Sequence, residues 1–421
     1  MERRIVCVGG GPAGLYTAIT ARLAGARDEI VVVERNPPGV THGWGVVFWD
    51  DLLDTMHRND PVSARALSAA AEVWDGQLLQ VGRRAPVFLG GSGYAVGRQE
   101  LLGLLTARAR ELDVDVRFGT SDPGPDLLAG ADVVVAADGV NSARRAAHEA
   151  ALGARATLSW HPYIWLGTAR RFPTFTFGFV DTGAGWMWCH AYAFRADRST
   201  FIVECPEPTW RALGLDRMPV EACLRALEEL FAHLLDGESL LVAEAQRPAP
   251  DRPAPWTRFQ RVELGRWHVG NLVLVGDAAH TTHFTIGSGT SLALGDARAL
   301  GARLADEGPL AEAFAGYEAE RRAVLAPLQD EADRSTAWFA DLVRPSAAPT
   351  SSARPGDAVD DLHLAWSLWR RRGDAPTWRW HLLRATQQPA LRRLRRGASS
   401  VRRGLRARRR EHDASRRDAV G

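Results

Sequence analysis

Gly9-x-Gly11-x-x-Gly14 is the first spacing in this chain that points to chemistry. The glycines follow a short apolar run at residues 4–8 and lead into an alanine-rich apolar stretch from Leu15 to Leu23. A strand, a tight turn and a helix are therefore expected in that order. Glycine permits the turn and a close backbone approach to a pyrophosphate. The start of the helix, at Pro12 and Ala13, supplies free amides and a positive dipole end. Glu34 stands 20 residues after Gly14, at the end of a second buried strand that includes Ile30 to Val33, with Arg35 beside it. A carboxylate there accepts hydrogen bonds from an adenosine ribose. The unit reads as a dinucleotide-binding β-turn-α-β; a glycine-rich turn that binds nothing is the plain alternative.

Other residue types set limits. The 421 residues include no lysine, which excludes mechanisms built on a Schiff-base or Walker-type lysine. Cys7, Cys189, Cys205 and Cys223 form no CxxC pair, so neither a zinc site nor a disulfide framework is predicted. Histidine titrates near neutral pH, and His283 lies between two glycine-containing segments, Gly276-Asp277 and Gly287-Ser288-Gly289-Thr290. No apolar run approaches the roughly 20 residues of a membrane span. The residues before Ile5 read as no secretory leader, so a cytoplasmic protein is expected.

These residues need elements to position them. Ala131 to Ala137 and Leu272 to Val275 read as further buried strands of a parallel sheet. Segments near 159–168, 174–181, 185–194 and 199–205 are rich in Trp, Phe, Tyr and Thr, and turn-forming residues separate them. They predict an antiparallel sheet. A helix is expected after Pro219 and another from Pro309 to about Leu342; Arg344 to Asp357 reads as a linker. The remainder reads as Trp- and Arg-rich helical pieces.

Two further stretches carry a family resemblance. Asp138-Gly139-Val140-Asn141-Ser142-Ala143-Arg144-Arg145 resembles the DGxxSxxR motif of the aromatic flavoprotein hydroxylases. Gly276-Asp277-Ala278-Ala279-His280 resembles their GD motif, and Gly287-Ser288-Gly289 and Asp296-Ala297 continue it. Arg98 matches an arginine near the flavin in that family. The likeness, spread from residue 9 to 297, implies the fold of para-hydroxybenzoate hydroxylase. That fold is α/β, with a Rossmann-like FAD-binding domain around a parallel sheet at 1–155 and 265–330. An antiparallel-sheet substrate domain at 156–264 and a helical, Arg-rich C-terminal region at 331–421 complete it.

The resemblance implies FAD as cofactor, O2 as cosubstrate, and NADH or NADPH docking transiently, since no second glycine fingerprint is present. In the implied cycle NAD(P)H reduces FAD, O2 adds to give a flavin C4a-hydroperoxide, and its distal oxygen attacks an electron-rich ring. Gly9, Gly11, Pro12, Ala13, Gly14, Glu34, Arg35, Gly45, Val46, Arg98, Asp138, Gly139, Arg145, Gly276, Asp277, Gly287, Gly289 and Thr290 are the expected FAD contacts. Tyr94, Trp165, His190, Phe284 and Thr285 are the expected substrate contacts. His283 is the candidate for the ring hydroxyl, either as contact or base; a packed or ribityl-contacting histidine is the alternative. His42 and His161 are weaker candidates. Phe175, Phe177, Trp186 and Trp188 also lie on the predicted sheet, where alternation is expected to turn about half of these side chains away.

Where the family has a proline, this chain has Phe284. That feature, Gly43-Trp44-Gly45-Val46-Val47-Phe48, Tyr163 to Thr168 and Ser199 to Cys205 resemble a narrower branch. It contains salicyloyl-CoA 5-hydroxylases, the flavin module of anthraniloyl-CoA monooxygenase and the violacein-pathway indole hydroxylase. The branch implies an aromatic substrate, with a CoA thioester favoured and an indole-type natural product as alternative. Ser291 departs from it, standing where lysine is expected in the CoA-using members. Between Leu391 and Arg417 lie 12 arginines, although the net charge is only +2. They read either as a clamp for CoA phosphates, with Arg170 or Arg171, or as a solvated tail. Nucleic acid and membrane partners are not expected, and oligomerisation is left open.

Of three other function classes, the sequence argues against the first for want of a lysine. A flavin halogenase is suggested by Trp186-Met187-Trp188 but needs a lysine. A reductase would share the DG and GD motifs. A flavin-binding electron carrier or interaction protein would lack the aromatic-rich sheet.

Overall fold

The computed structural model describes residues 3–121, 124–249, 252–306, 308–342 and 358–418. The predicted linker at 344–357 falls outside them.

A six-stranded sheet organises the first layer. Its order is His268–Val269, Leu272–Leu274, Val133–Ala136, Arg4–Val8, Glu29–Val33 and Asp115–Arg117. All pairings are parallel except that of the His268–Val269 edge. After Arg4 and Glu29 at their starts, the central strands are apolar and buried, as strands of a parallel sheet are. Pro12–Leu23 and Gly289–Leu304 pack against each other above the strand ends. That packing is tight: a Cβ on Gly301 would run into Thr20 and the backbone of Thr17.

The second sheet runs Leu240–Val242, Arg155–Thr168, Arg198–Glu204, Trp186–Arg195, Phe175–Asp181, Gln77–Val81 and Val87–Gly90; Thr257–Glu263 also pairs with Arg155–Thr168. Its four middle strands follow the predicted segments. One face packs Ile164, Leu166, Cys189, Phe201 and Val203 onto the helix Val220–Leu230, which follows Pro219 as expected. The opposite face packs Leu79, Phe177, Phe179 and Trp188 against Phe339, Leu364, Leu368 and Leu383 of the C-terminal region. Each such large apolar side chain contributes about 1.5–3 kcal/mol by leaving water.

Two expected boundaries differ from the structure. Gln77–Val81 and Val87–Gly90 join the substrate sheet, so that layer does not begin at residue 156. Gln77–Val81 pairs in parallel with Phe175–Asp181, a long-range contact that local patterning does not encode. The helix Leu310–Asp341 runs through residue 330, so no boundary falls there.

The Arg-rich C-terminus forms the helix Pro389–Asp418, and it is docked on the body, not a free tail. Arg392, Arg395 and Arg396 lie 5.2–5.8 Å from the ring centre of Phe88. Arg403 pairs with Asp75, Arg406 with Asp50, and Arg410 with both Asp50 and Asp54. Arg170 and Arg171 are also paired, with Asp236 and Glu72. No helix among the described residues is long and apolar enough to cross a membrane.

Candidate functional site

The fingerprint glycines stand between the first strand and the first helix. Gly9 takes φ +114°, and a Cβ there would strike the carbonyl of Ala137; one on Gly14 would strike the carbonyl of Gly9. Gly11, by contrast, faces open space, as does Gly139, so the cradle between the two turns is free for a ligand. Glu34 closes one side. Its carboxylate accepts the Gly10 N–H at 2.7 Å and both nitrogens of Asn36 at 2.9 and 2.7 Å.

Polar groups without protein partners point into this cleft. Asp138 accepts the Ala143 N–H at 3.0 Å through one oxygen, while its other oxygen is buried with no hydrogen-bond partner among the described residues. The buried Arg98 Nε is likewise unpartnered. Burial pushes the Arg98 guanidinium below its ordinary value, and Asp277 and Glu34 counter that by supporting its charge. Asp277 projects into the cleft, reachable by water yet surrounded by protein, and that enclosure raises its carboxyl above the usual range despite nearby Arg98 and His280. This donor and acceptor set, with two open glycines, fits a dinucleotide.

The Gly276-Asp277 turn is held from behind. Gly276 adopts φ +59°, and its N–H donates to Asp296 at 3.0 Å. Asp296, fully buried, also bonds His280 Nε2 at 2.7 Å and Arg321 Nε at 2.7 Å. Gly287 (φ +68°) lies against Val47, and Gly289 opens the next helix toward free space with Thr290 in its first turn.

Five expected contacts are placed otherwise. Gly45 receives its bonds from the substrate sheet: its N–H donates to Thr200 Oγ1 at 2.9 Å and its carbonyl accepts Tyr192 OH at 2.9 Å. Val46, beside it, is half-buried against the core. Arg35 is exposed. Arg145 donates to the carbonyls of Ala278 (3.0 Å) and Val140, stapling the DG turn to the GD turn instead of entering the cleft. Tyr94 stacks on Phe48 at 5.4 Å and donates to Asp50.

Strand register builds the second half of the site. Tyr163, Glu204, Trp188 and Phe179 form one cross-strand row; Trp165, Ile202, His190 and Phe177 form the next. The side chains from Phe175 to Phe179 and from Trp186 to Tyr192 that matter share one parity, so alternation places them together, not half on each face. Trp165 instead lies over Gly43, where a Cβ would press into its ring.

The loop after the GD turn meets this wall. Phe284 lies 4.7 Å from Tyr163, 4.4 Å from His283 and 5.8 Å from His190, ring centre to ring centre. His283 Nδ1 reaches Thr285 Oγ1 at 3.2 Å and its Nε2 faces Glu204 at 3.9 Å. Burial, reinforced by His190 and His161, holds the His283 imidazole down to about 4, against the pull of Glu204. Arg371 braces the loop from the C-terminal region, donating to the Thr285 carbonyl and to Ser335 Oγ, each at 3.0 Å. His42 stays on the half-exposed segment near Arg98, whereas His161 joins the pocket beside Glu204 at 3.5 Å.

Sequence reasoning missed Glu204 and Arg321 as site members and gave Asp296, named only within the motif, no role. A lone carboxylate inside Phe201-Ile202-Val203-Glu204-Cys205 was the available signal for the first. Among the described residues no His, Cys, Asp or Glu group is arranged to hold a metal.

Residues 229–332 match the family model described as FAD binding domain. A salicyloyl-CoA 5-hydroxylase of a Streptomyces species is 37% identical over 83% of this chain and 68% of its own length. A 3-hydroxy-4-methyl-anthranilyl-[aryl-carrier protein] 5-monooxygenase of Streptosporangium sibiricum is 37% identical over 80% of this chain and 90% of its own. In the solved tetrameric form of 2-methyl-3-hydroxypyridine-5-carboxylic acid oxygenase, the same fold covers 81% of this chain and 90% of that one, with TM-score 0.63 at 20% identity. With the cradle and the aromatic wall, these likenesses place the chain in the class A FAD-dependent aromatic monooxygenases, enzymes that use NAD(P)H and O2 to hydroxylate a ring.

Proposed function

We propose that this monooxygenase acts on the ring of an aryl thioester, and specifically that it hydroxylates salicyloyl-CoA para to the phenol to give gentisyl-CoA. The observation that carries this reading is a buried cluster of aromatic rings around three ionisable groups, Glu204, His190 and His283, beside the cofactor turns. The thioester is supported by the substrates in the names of the two 37% identical relatives.

FAD, when bound, supplies the redox and oxygen chemistry. The chain's residues do the rest. In this reading Gly9, Gly11, Pro12, Ala13 and Gly14 let the first helix meet the pyrophosphate, and Glu34 takes the adenosine ribose. Arg98, Asp138, Gly139 and Asp277 supply polar contacts along the cleft. Gly276, Gly287, Gly289 and Thr290 set the backbone around the ring system, where amides at a helix start favour developing negative charge. Phe284, Tyr163 and Trp188 exclude water and orient the substrate ring. Thr285 fixes His283 from one side. A ring activated by a hydroxyl is attacked most readily when its proton is drawn away, the task assigned to the pocket histidines.

A carrier-bound aryl group is the second reading, favoured by the name of the Streptosporangium relative. The test is NADH and NADPH consumption with salicyloyl-CoA, anthraniloyl-CoA, free salicylate and tryptophan, with product mass followed under air and nitrogen. Gain of one oxygen on a CoA thioester, without turnover of the free acid, supports the reading. Stimulation by none of the four moves the substrate to a carrier-bound or indole-type compound.

A further inference from the structure

The helix Pro389–Asp418 is turned inside out for a surface helix. Such a helix normally lays its apolar stripe on the body and its charges in water. Here the face against the body is arginine. Arg392 and Arg396 lie over the Phe88 ring, Arg403 pairs with Asp75, and Arg410 pairs with Asp50. Their spacing puts all four on one side of the helix.

Leu391, Leu394, Ala398, Val401 and Leu405 fall on the opposite side, and all are exposed. They alternate by three and four residues, the spacing of the a and d positions of a heptad seam. Leu394, Val401 and Leu405 are 68%, 64% and 61% exposed. One exposed leucine is ordinary, but a regular series along about 20 Å of helix is an uncovered stripe.

Two features define what fits it. The stripe is narrow: one residue stands at each a and d position, and the neighbouring g positions are Gly397 and Gly404. That is the width of a helix–helix seam, narrower than the broad apolar face that an interfacial helix sinks into a bilayer. The surroundings are cationic. Arg402 and Arg409 take the e positions, and Arg408 continues the seam at the next d. Arg402 and Arg408 are exposed with no ion-pair partner among the described residues, and Arg409 reaches only Asp413, at 4.0 Å. A second copy of this helix is a poor match in either direction. Antiparallel pairing sets the e arginines against each other, and parallel pairing sets Arg408 against its own copy. An acidic partner removes both conflicts.

We propose that this stripe is a docking surface for a partner protein that presents an acidic amphipathic helix. The partner's apolar residues fill the seam from Leu391 to Leu405, and its carboxylates meet Arg402, Arg408 and Arg409. None of these residues belongs to the cofactor cleft or the ring cluster, so the inference is independent of which aromatic compound is hydroxylated.

The test uses the holoenzyme and a fluorescent peptide of about three heptads with valine at a, leucine at d and glutamate at e and g, whose own glutamates keep it monomeric. Fluorescence anisotropy should show binding of this peptide and none of its counterpart with lysine at e and g. Leu394→Gln combined with Leu405→Gln should weaken binding by about 30-fold, and Arg402→Glu combined with Arg409→Glu should turn the preference toward the lysine peptide. Melting temperature and flavin content should not change, because all four side chains are exposed. If the double leucine variant melts early, Leu394→Gln alone carries the test. Sedimentation of the holoenzyme and flotation with phosphatidylglycerol vesicles examine the other two occupants, a second copy and a membrane. No binding of the acidic peptide, equal binding of both peptides, or binding undiminished by the leucine substitutions overturns the proposal. Self-association or vesicle binding that those substitutions abolish overturns it as well.

Discussion

Asp296→Asn is the sharpest probe of how the cofactor cleft is held. The wild-type carboxylate is fully buried and receives Gly276 N–H, His280 and Arg321. Asparagine keeps the shape but removes the charge, leaving the Arg321 guanidinium, 5% exposed, without its counter-ion. Removing one partner of a buried ion pair costs about 3–5 kcal/mol. At roughly 2.1 cal/mol/K of unfolding entropy per residue, 421 residues give about 0.9 kcal/mol per kelvin, so the melting temperature should fall by about 3–6 °C. The Gly276 turn loses its anchor at the same time, so flavin should dissociate more readily on dilution. Scanning fluorimetry and flavin absorbance after gel filtration read the two effects. The pH dependence has a definite sign. Burial works against the Asp296 carboxylate, but His280 and Arg321 outweigh it and hold the group below the usual 3.8. Its contribution is therefore complete above about 3.8 and disappears as pH falls through the lower folded value. The gap between wild type and variant should hold at neutral pH and close in acid. A variant that melts with the wild type at neutral pH, or a gap that persists unchanged in strong acid, would refute the reasoning.

Gly14→Ala should yield a folded but flavin-poor protein, measured by flavin-to-protein absorbance, because the new methyl meets the Gly9 carbonyl. Phe284→Ala should lower the melting temperature in scanning fluorimetry, since the ring pairs with Tyr163, His190, Phe259 and His283 and each lost pairing is worth about 0.5–1.5 kcal/mol. His283 held down to about 4 binds its proton less readily folded than unfolded, so stability should fall as pH drops from 6.5 toward 4, and His283→Asn should flatten that part of a melting profile. High salt should loosen the helix Pro389–Asp418, whose Arg406–Asp50 and Arg403–Asp75 pairs are partly exposed, seen as faster hydrogen exchange there than in the central sheet.

The cofactor half of the site was the more legible half because its signals are local. A glycine fingerprint, the carboxylate that follows it and the DG and GD turns each occupy a few consecutive residues. What those turns bond to was not legible: Arg145 reads as a cofactor arginine in sequence, yet it ties two turns together. The pocket half depends on register. Nothing within Arg198–Glu204 says that Glu204 stands beside Tyr163 on one side and Trp188 on the other; that follows only once three strands pair. Tyr94 illustrates the limit, since its partner Asp50 is fixed by a neighbouring strand and a helix start, not by its own segment. The C-terminal arginines were visible as charge, but their acidic partners at Asp50, Asp54 and Asp75 lie more than three hundred residues away in sequence.

The brace from Arg371 to the Thr285 carbonyl spans 86 residues of chain, and it orders events during synthesis. At about 5–20 residues per second, Arg371 leaves the ribosome some 4–17 s after the loop it supports. The fingerprint turn, both motif turns and the helix Gly289–Leu304 are all translated before it. A nascent chain can therefore assemble its cofactor cleft while the ring pocket still lacks its rear wall, because Ser335, Phe339 and Arg371 arrive later. The pocket is finished last, and a chain stopped before Arg371 would carry a complete cradle beside an unbraced catalytic loop.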